Sequence, residues 1–246
     1  MAKNRSAPKT GATALPLPGE AGAEPDTRAR IVATAFRLFH EQGYNNTGVA
    51  TILREAQVNV GSLYHFFDSK ETLLVAVLEY ALLILRPAVI DPAERRSEDP
   101  LERVFELLQQ YREGLLALGC RMGCPIGNLA LEVADDHPQI RRLIHENFLN
   151  WTRAVQAWLD AAGPRLPARL DRPQLARFVL TVLEGGIMQA RAAGDLTPFD
   201  DSVAQLRAYF SALQQLARKE RGARAPRKLP PRSARSRRRT SPPSHD

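Results

Sequence analysis

The amino-acid sequence predicts an all-α protein with an N-terminal three-helix domain that contains a helix-turn-helix, followed by a larger C-terminal helical domain. Apolar residues recur at the helical period, and prolines and glycines stand where the predicted helices begin and end. Two of the predicted helices are short and meet at a four-residue turn, QVNV. We therefore expect a disordered tail at 1–26, a head at 27–73, a body at 74–218 and a disordered basic tail at 219–246.

Composition is that of a globular protein. Of 246 residues, 44% are hydrophobic and 25% are charged, so the chain can bury a core. The longest apolar run, 73–85, is interrupted by Glu79 and is shorter than the roughly 18 residues that a membrane span needs. The N-terminal segment lacks the apolar core of a secretory signal, so we expect a cytoplasmic protein without a membrane partner. Two cysteines, Cys120 and Cys124, are too few for a disulfide framework.

The net charge of +7 belongs to the C-terminal tail. Residues 219–246 hold ten basic and two acidic residues, a charge of +8 that leaves −1 for the rest of the chain. Segment 27–85 is neutral. The tail is therefore either a solvated, solubilising end or a flexible arm that binds phosphate backbones loosely.

The head is predicted to contain three helices. The first, 28–41, carries four apolar residues on one face and ends at Gly43. Thr47 is expected to cap the second helix, and small Ala56 lets a neighbouring helix approach it. The third helix begins near Val60 and ends near Phe67, which completes a helix-turn-helix. The inward-facing residues are Ile31, Ala35, Leu38 and Phe39 in the first helix, and Val49, Ile52 and Leu53 in the second.

The start of the third helix is the predicted DNA-reading surface. In a helix-turn-helix, the second of the two helices enters the major groove with its N-terminal residues nearest the base edges. Gly61 and Ser62 are small enough for close approach, Asn59 and Ser62 offer hydrogen bonds, and Val60 offers a methyl surface to thymine. Tyr64 and His65 are expected to reach phosphates, while Leu63, Phe66 and Phe67 hold the helix against the head.

Lys70 is a further candidate for contact with DNA. Asp68 and Glu71 have the spacing of a capping box, which places Lys70 in the first turn of a helix. A cation there opposes the helix dipole by roughly 0.3 to 1 kcal/mol, whereas a phosphate beside it would favour both the cation and the helix N-terminus. The alternative is a solvated surface charge.

Residues 28–80, including the string EAQVNVGSLYHFFDSKETLLVAVLEY, resemble the DNA-binding domain of TetR/AcrR-family transcriptional regulators. The resemblance implies an all-α homodimer, usually a repressor, that binds a palindromic double-stranded operator and is released when a ligand occupies the C-terminal domain. Val60 stands where many relatives have lysine or arginine, and Gln57 stands where a turn glycine is common. By motif, DNA-contact roles pass to Thr47, Asn59, Val60, Gly61, Ser62, Tyr64, His65 and Lys70.

The end of the body is predicted to form two amphipathic helices. The first begins at Asp171 and ends at Gly194, and the second runs from about Pro198 to Ala217. The family resemblance implies that these helices pair with their copies in the homodimer. The residues assigned to that interface are Gly185, Gly186 and Phe210, although the two glycines also fit a kink inside one monomer.

Two sensor hypotheses remain open. Cys124 precedes Pro125 at a predicted helix N-terminus, where the dipole and Arg121 would favour a reactive thiolate and an electrophile or oxidant as inducer. The alternative for Cys124 is buried packing. The second hypothesis is a small-molecule pocket on a long helix that begins near Asp136 and Pro138. The residues assigned to it include Phe148 and Trp151, with His145, Asn147 and Asn128 as polar groups.

Enzyme motifs are absent from the sequence. It contains no Gly-rich phosphate loop, nucleophile elbow or HExxH, and its histidines and cysteines lack zinc spacing. We therefore expect no catalytic residues, metal or cofactor. Two alternatives to a regulator are a thiol oxidoreductase that uses Cys120 and Cys124, and a sequence-indifferent DNA-packaging protein that acts through the basic tail.

Overall fold

A computed structural model of the chain describes residues 26–134 and 137–224. Every regular element in these two ranges is a helix, which confirms the predicted fold class. The head comprises α1 Thr27–Gln42, α2 Val49–Ala56 and α3 Val60–Phe66. The rest comprises α4 Lys70–Leu85, a π-helical turn Arg86–Ile90, α5 Asp91–Arg96, α6 Pro100–Ala117, α7 Pro125–Val133, α8 Pro138–Ala161, a 3-10 turn Gly163–Arg165, α9 Arg172–Ala193 and α10 Thr197–Arg224.

The predicted boundary of the C-terminal tail is wrong, because α10 continues six residues past 218 to Arg224. Its sequence there, KERGAR, is polar, and within it Glu220 accepts a hydrogen bond from the Ala168 N–H and Arg221 donates one to the Pro164 carbonyl. The rest of the two predicted tails, 1–25 and 225–246, lies outside the described residues. Asp26, assigned to the N-terminal tail, instead caps α1 by accepting a 2.7 Å hydrogen bond from the Ala29 N–H.

The head is built on α1 as predicted. The four apolar residues of its predicted stripe are all buried, and the helix stops at Gly43, whose φ of 84° favours glycine. The α2–α3 turn places Gln57 in the left-handed region at φ 55° and ψ 47°, a conformation in which a side chain costs about 1 to 2 kcal/mol. The turn therefore keeps the geometry of a glycine turn without the glycine.

α4 joins the head to the body. It packs against α1 on one side and α8 on the other, and its helical path continues through Pro87 in the π-helical turn. Pro87 lacks the N–H that would bond back to Leu83, which accounts for a locally widened turn. The apolar segment Lys70–Arg96 is consequently longer than the run 73–85, and by length and composition it could cross a membrane. Half of the most apolar 18-residue stretch of this segment is buried inside the protein, as in a core helix.

The body ends in a pair of long helices. α9 starts after Asp171, whose side chain accepts a 2.8 Å hydrogen bond from the Gln174 N–H, and ends at Gly194 in the left-handed region, as predicted. α9 packs between α8 and α10. α8 begins at Pro138, after His137, whereas the predicted starting residue Asp136 lies outside the described residues.

Candidate nucleic-acid interface and ligand cavities

One face of α3, together with its cap, is exposed. Val60 is 56% exposed and Tyr64 53%, and Asn59, Gly61 and His65 are exposed beside them. Leu63, by contrast, is fully buried and anchors the helix to the head. Five of the eight residues predicted to contact DNA thus lie together on the exposed face of α3 and its cap.

Asn59 has a structural task as well as an exposed position. Its Oδ1 accepts a 2.8 Å hydrogen bond from the Ser62 N–H and lies 3.2 Å from the Ser62 hydroxyl, so it caps α3. A Cβ on Gly61 would lie 3.3 Å from the same oxygen, which is a second reason for glycine there. The oxygen is therefore used by the helix, and the Nδ2 amide is the group that Asn59 presents outward.

Two sequence predictions about the head are wrong. Thr47 does not cap α2, since Gly48 occupies that position. Its side chain is fully buried, and its hydroxyl donates to the Gly43 carbonyl at 2.7 Å, so Thr47 supports the loop and offers DNA no exposed group. Phe66 does not brace α3 from inside, because it is 38% exposed with its ring against His65. Phe67 is buried as expected.

Lys70 is held at the surface of the head. The residue that caps α4 is Ser69, which accepts from the Thr72 N–H at 3.1 Å, rather than the predicted Asp68. Lys70 Nζ donates a 2.6 Å hydrogen bond to the backbone carbonyl of Tyr44 and lies 4.1 Å from the centre of the Tyr44 ring. Partial burial lowers the pKa of Lys70. A freely solvated charge is therefore the wrong description of Lys70.

α7 bonds to the head at both of its ends. Just before α7, the Gly123 carbonyl accepts a 2.6 Å hydrogen bond from His40 Nε2 of α1. In its last turn, Glu132 accepts a 3.1 Å hydrogen bond from the Asn45 N–H in the α1–α2 loop. Any displacement of α7 consequently acts on α1 and on the loop that leads into the helix-turn-helix.

An open cavity of about 610 Å³, the outer groove, lies between α7, α8 and α9. Four of the six residues named in the two sensor hypotheses line it, and the two arginines and one carboxylate among its lining residues give it a charged side. The predicted residues are Cys124, Asn128, His145 and Phe148; the charged residues are Arg177, Glu184 and Arg191.

Cys124 caps α7 with Pro125 at the first helical position, as predicted, but its predicted reactivity is not supported. The thiol is 4% exposed, and burial, followed by the charge of Glu184, raises its pKa well above the ordinary value. Desolvation therefore outweighs the 3.4 Å hydrogen bond that the sulfur accepts from the Gly127 N–H. Cys124 fits the alternative of buried packing.

Two further cavities, together called the inner chamber, lie where the head meets the body. Their volumes are about 240 and 180 Å³, and the residues that line both are His40, Ala88, Val89, Tyr111 and Pro125. Asn147 and Trp151, the other two residues named in the sensor hypotheses, line the smaller cavity. The sequence prediction thus combined residues from two different sites.

Among the lining residues that sequence reasoning missed, three have a shifted pKa: His40, Tyr111 and Glu184. Burial lowers the pKa of His40 and raises that of Glu184, while burial and the neighbouring Cys124 and Glu184 raise that of Tyr111 well above its ordinary value. Each lies on a helix beside apolar residues: His40 on α1, Tyr111 on α6 and Glu184 on α9. Their shared environment depends on how α1, α6 and α9 pack, which no local pattern encodes.

The residues assigned to the dimer interface separate into two groups. Phe210 is wrong as an interface residue, because it is 1% exposed and packs against Phe105 in the monomer core. Gly186 is also buried, and a Cβ there would lie 3.0 Å from Phe199. Gly185 has open space above it. The exposed apolar residues of α9 and α10 are instead Phe178, Met188, Tyr209 and Leu216.

Within 26–134 and 137–224, no three His, Cys, Asp or Glu side chains come together as a metal-binding group. Cys120 and Cys124 are both buried free thiols.

Comparison with known proteins gives two family matches. Residues 31–77 match the model described as bacterial regulatory proteins, tetR family. Residues 100–205 match the model described as transcriptional regulator LmrA/YxaF-like, C-terminal domain. The matches cover the head with the start of α4, and most of the body.

Individual relatives agree with these matches. YxaF of Bacillus subtilis, named as an HTH-type transcriptional regulator, is 32% identical over 174 residues, or 70% of this chain and 89% of YxaF. NemR of Escherichia coli, named as an HTH-type transcriptional repressor, is 25% identical over 190 residues, or 75% and 94%. The crystal structure of regulatory protein TetR from Rhodobacter sphaeroides has a TM-score of 0.66 at 25% identity and covers 73% of this chain and 96% of that one.

Proposed function

Because the chain belongs to the TetR family of DNA-binding transcriptional regulators, we propose that it represses transcription from a palindromic operator, as a homodimer, until an inducer binds the body. The observation that carries the proposal is the exposed face of α3 and its cap, with Leu63 anchoring the helix behind them. A helix presented in this way enters a major groove, and small Gly61 lets its backbone approach the bases. The name of NemR as a repressor supports the direction of regulation.

The homodimer is proposed to form through α9 and α10. Phe178 and Tyr209 are 47% and 44% exposed, and their rings meet edge to face with centres 6.0 Å apart. Leu216 and Met188 extend the exposed apolar surface along the two helices. An apolar surface of this kind is typical of a subunit interface, and a two-fold dimer presents two copies of α3 to two half-sites.

Sedimentation tests the dimer. Phe178→Glu places a charge in the proposed interface and is expected to yield a monomer with weakened operator binding. The matched control is Leu83→Glu, which changes a 67% exposed leucine on α4 outside the interface and is expected to remain dimeric. A dimeric Phe178→Glu protein would refute this interface.

Inducer binding is proposed for the body, with the outer groove and the inner chamber as candidate sites. A covalent trigger at Cys124 is not supported by its burial and raised pKa, so we propose a non-covalent small molecule. Occupancy of either site would act on the start of α7, since Gly123, just before α7, lines the outer groove and the larger cavity of the inner chamber. α7 in turn bonds to the head at two points.

A competition assay separates this function from DNA packaging through the basic tail. Full-length protein and a variant that lacks 225–246 are mixed at physiological salt with a selected duplex and a scrambled competitor. A regulator retains its preference for the selected duplex without the tail, since specificity comes from α3. A packaging protein loses nearly all affinity, and that result would overturn the proposal.

A further inference from the structure

We propose that the inner chamber binds an uncharged, largely apolar ligand, and that His40 of α1 contacts this ligand directly from the DNA-binding head. The proposal names the inducer class and its point of action, and it rests on the proposed function only for the coupling to DNA. The ligand class rests on the chamber itself. His40 lines both of its cavities, and Phe36, also from α1, lines the smaller one.

The lining of the chamber excludes ionised ligands. Among the described residues around its two cavities there is no lysine, arginine, aspartate or glutamate. Burial also lowers the pKa of His40, so the imidazole is disfavoured as a cation. An ion that left water for this chamber would find no opposite charge among the lining residues, whereas the outer groove is lined by Arg177, Arg191 and Glu184.

Aromatic and polar groups refine the ligand class. The rings of Tyr111 and Trp151 meet edge to face with their centres 6.0 Å apart, and Phe36 lines the same cavity. Flat apolar groups are therefore well accommodated. Asn147 donates both amide hydrogens to backbone, to the carbonyls of Leu78 and Leu143, which leaves its side chain only an acceptor oxygen. Trp151 Nε1 is buried without a hydrogen-bond partner in the described part of the chain. A neutral ligand with one hydrogen-bonding group suits these residues.

His40 places the ligand against the coupling element. Because a carbonyl only accepts, the 2.6 Å bond to Gly123 fixes a proton on His40 Nε2, and in the neutral ring Nδ1 is then an acceptor. A ligand that contacts this ring therefore meets α1 and, through one hydrogen bond, the residue before Cys124 that leads into α7. The far end of α7 holds Asn45 through Glu132. Ligand and DNA-binding head are thus connected at both ends of one short helix.

Fluorescence of two related probes tests the ligand class on the full-length protein. N-phenyl-1-naphthylamine is uncharged, and 8-anilinonaphthalene-1-sulfonate has the same rings with a sulfonate. We expect the uncharged probe to bind at least roughly tenfold more tightly. Ala88→Phe fills the chamber and is expected to weaken that binding by about tenfold or more, whereas Ala130→Phe, its matched control in the outer groove, changes it less than about twofold. Equal binding of the two probes, or loss only with Ala130→Phe, would overturn the chamber assignment.

The coupling is measured as the affinity of the uncharged probe with and without a selected duplex. Linkage requires the duplex to weaken probe binding by the same factor as the probe weakens duplex binding. His40→Leu is expected to abolish this difference, so that the duplex no longer changes the affinity that the probe retains, and His40→Gln, which can still donate to Gly123, is expected to restore much of it. An unchanged difference in His40→Leu would refute the role of His40. Failure to bind any duplex would refute the proposed function while leaving the probe results to decide on the chamber.

Discussion

Glu132 accepts a 3.1 Å hydrogen bond from the backbone N–H of Asn45, so the last turn of α7 is fastened to the loop between α1 and α2. A carboxylate at a helix C-terminus opposes the macrodipole by about 0.3 to 1 kcal/mol. Its position is explained by what it faces in the head, since its charge also raises the pKa of Lys70 against the lowering effect of burial. The contact therefore belongs to the junction of head and body.

Removing this contact is expected to loosen the α1–α2 loop. In Glu132→Ala the Asn45 amide loses its acceptor, and its hydrogen exchange is expected to accelerate by roughly tenfold, which corresponds to about 1.4 kcal/mol. Glu132→Gln keeps an acceptor oxygen of the same reach and should retain most of the protection. NMR-detected exchange measures both. Equal exchange in wild type and Glu132→Ala would show that the bond does not hold the loop.

Replacing Gln57 by glycine is expected to stabilise the protein. Gln57 adopts φ 55° and its side chain is exposed, so the substitution relieves backbone strain and removes little packing. Strain relief of about 1 to 2 kcal/mol, less the greater unfolded-state entropy of glycine, leaves about 0.5 to 1 kcal/mol. Urea denaturation checks the value, with Gln57→Ala, which keeps a Cβ, as the control. A destabilised Gln57→Gly variant would contradict the turn geometry.

Cys124 is expected to resist alkylation in the native protein. Its burial and the nearby Glu184 charge both raise the thiol pKa, so little thiolate forms at neutral pH. Iodoacetamide labelling followed by mass spectrometry should give a rate at least roughly a hundredfold below that in urea. Glu184→Gln removes the negative neighbour, lowers the thiol pKa and should accelerate labelling. Native labelling as fast as in urea would revive the thiol sensor.

Acid is expected to remove the contribution of Asp99. Two hydrogen bonds from Arg165, at 2.6 and 2.9 Å, lower the pKa of Asp99. Because the folded pKa lies below the unfolded value of about 4, the stabilisation is present above pH 4 and is lost as the pH falls through the folded pKa. Asp99→Asn keeps a capping oxygen for α6 and removes the charge. Its destabilisation, about 1 kcal/mol after allowance for solvent screening, should shrink as the pH falls from 6 to 3.

Local patterns were sufficient for the buried face of α1 and for the two ends of α9. The stripe beginning at Ile31 predicted the buried face of α1, and Asp171 and Gly194 predicted the ends of α9, because helical periodicity and capping act within a few residues. The end of α10 was missed because its last six residues, KERGAR, are mostly polar and show no apolar periodicity that would predict a helix. The cap of α4 was assigned to Asp68 because Asp68 and Glu71 have the spacing of a capping box. Ser69, an equally good capping residue one position later, is the residue that caps the helix.

The exposure of a side chain in the candidate sites could be predicted where it depends on the local sequence, and not where it depends on tertiary packing. The exposure of Val60 and Tyr64 follows from the motif. The burial of Thr47 does not, since its hydroxyl is bound by carbonyls of α1 and the following loop. Sequence likewise placed Cys124 at a helix N-terminus but gave no sign of its burial or of Glu184 from α9. Burial, followed by the charge of Glu184, reverses the expected shift of the thiol pKa.

Selection from a random duplex library tests the central claim, that the start of α3 reads bases in two symmetric half-sites. For wild type we expect enrichment of inverted repeats. Ser62→Ala and Asn59→Ser, the latter with its helix cap retained, are expected to change the preferred bases within each half-site, whereas Tyr64→Ala and Lys70→Ala lower affinity for all duplexes by a similar factor. No enrichment by wild type, or identical preferences in the Asn59 and Ser62 variants, would contradict the account.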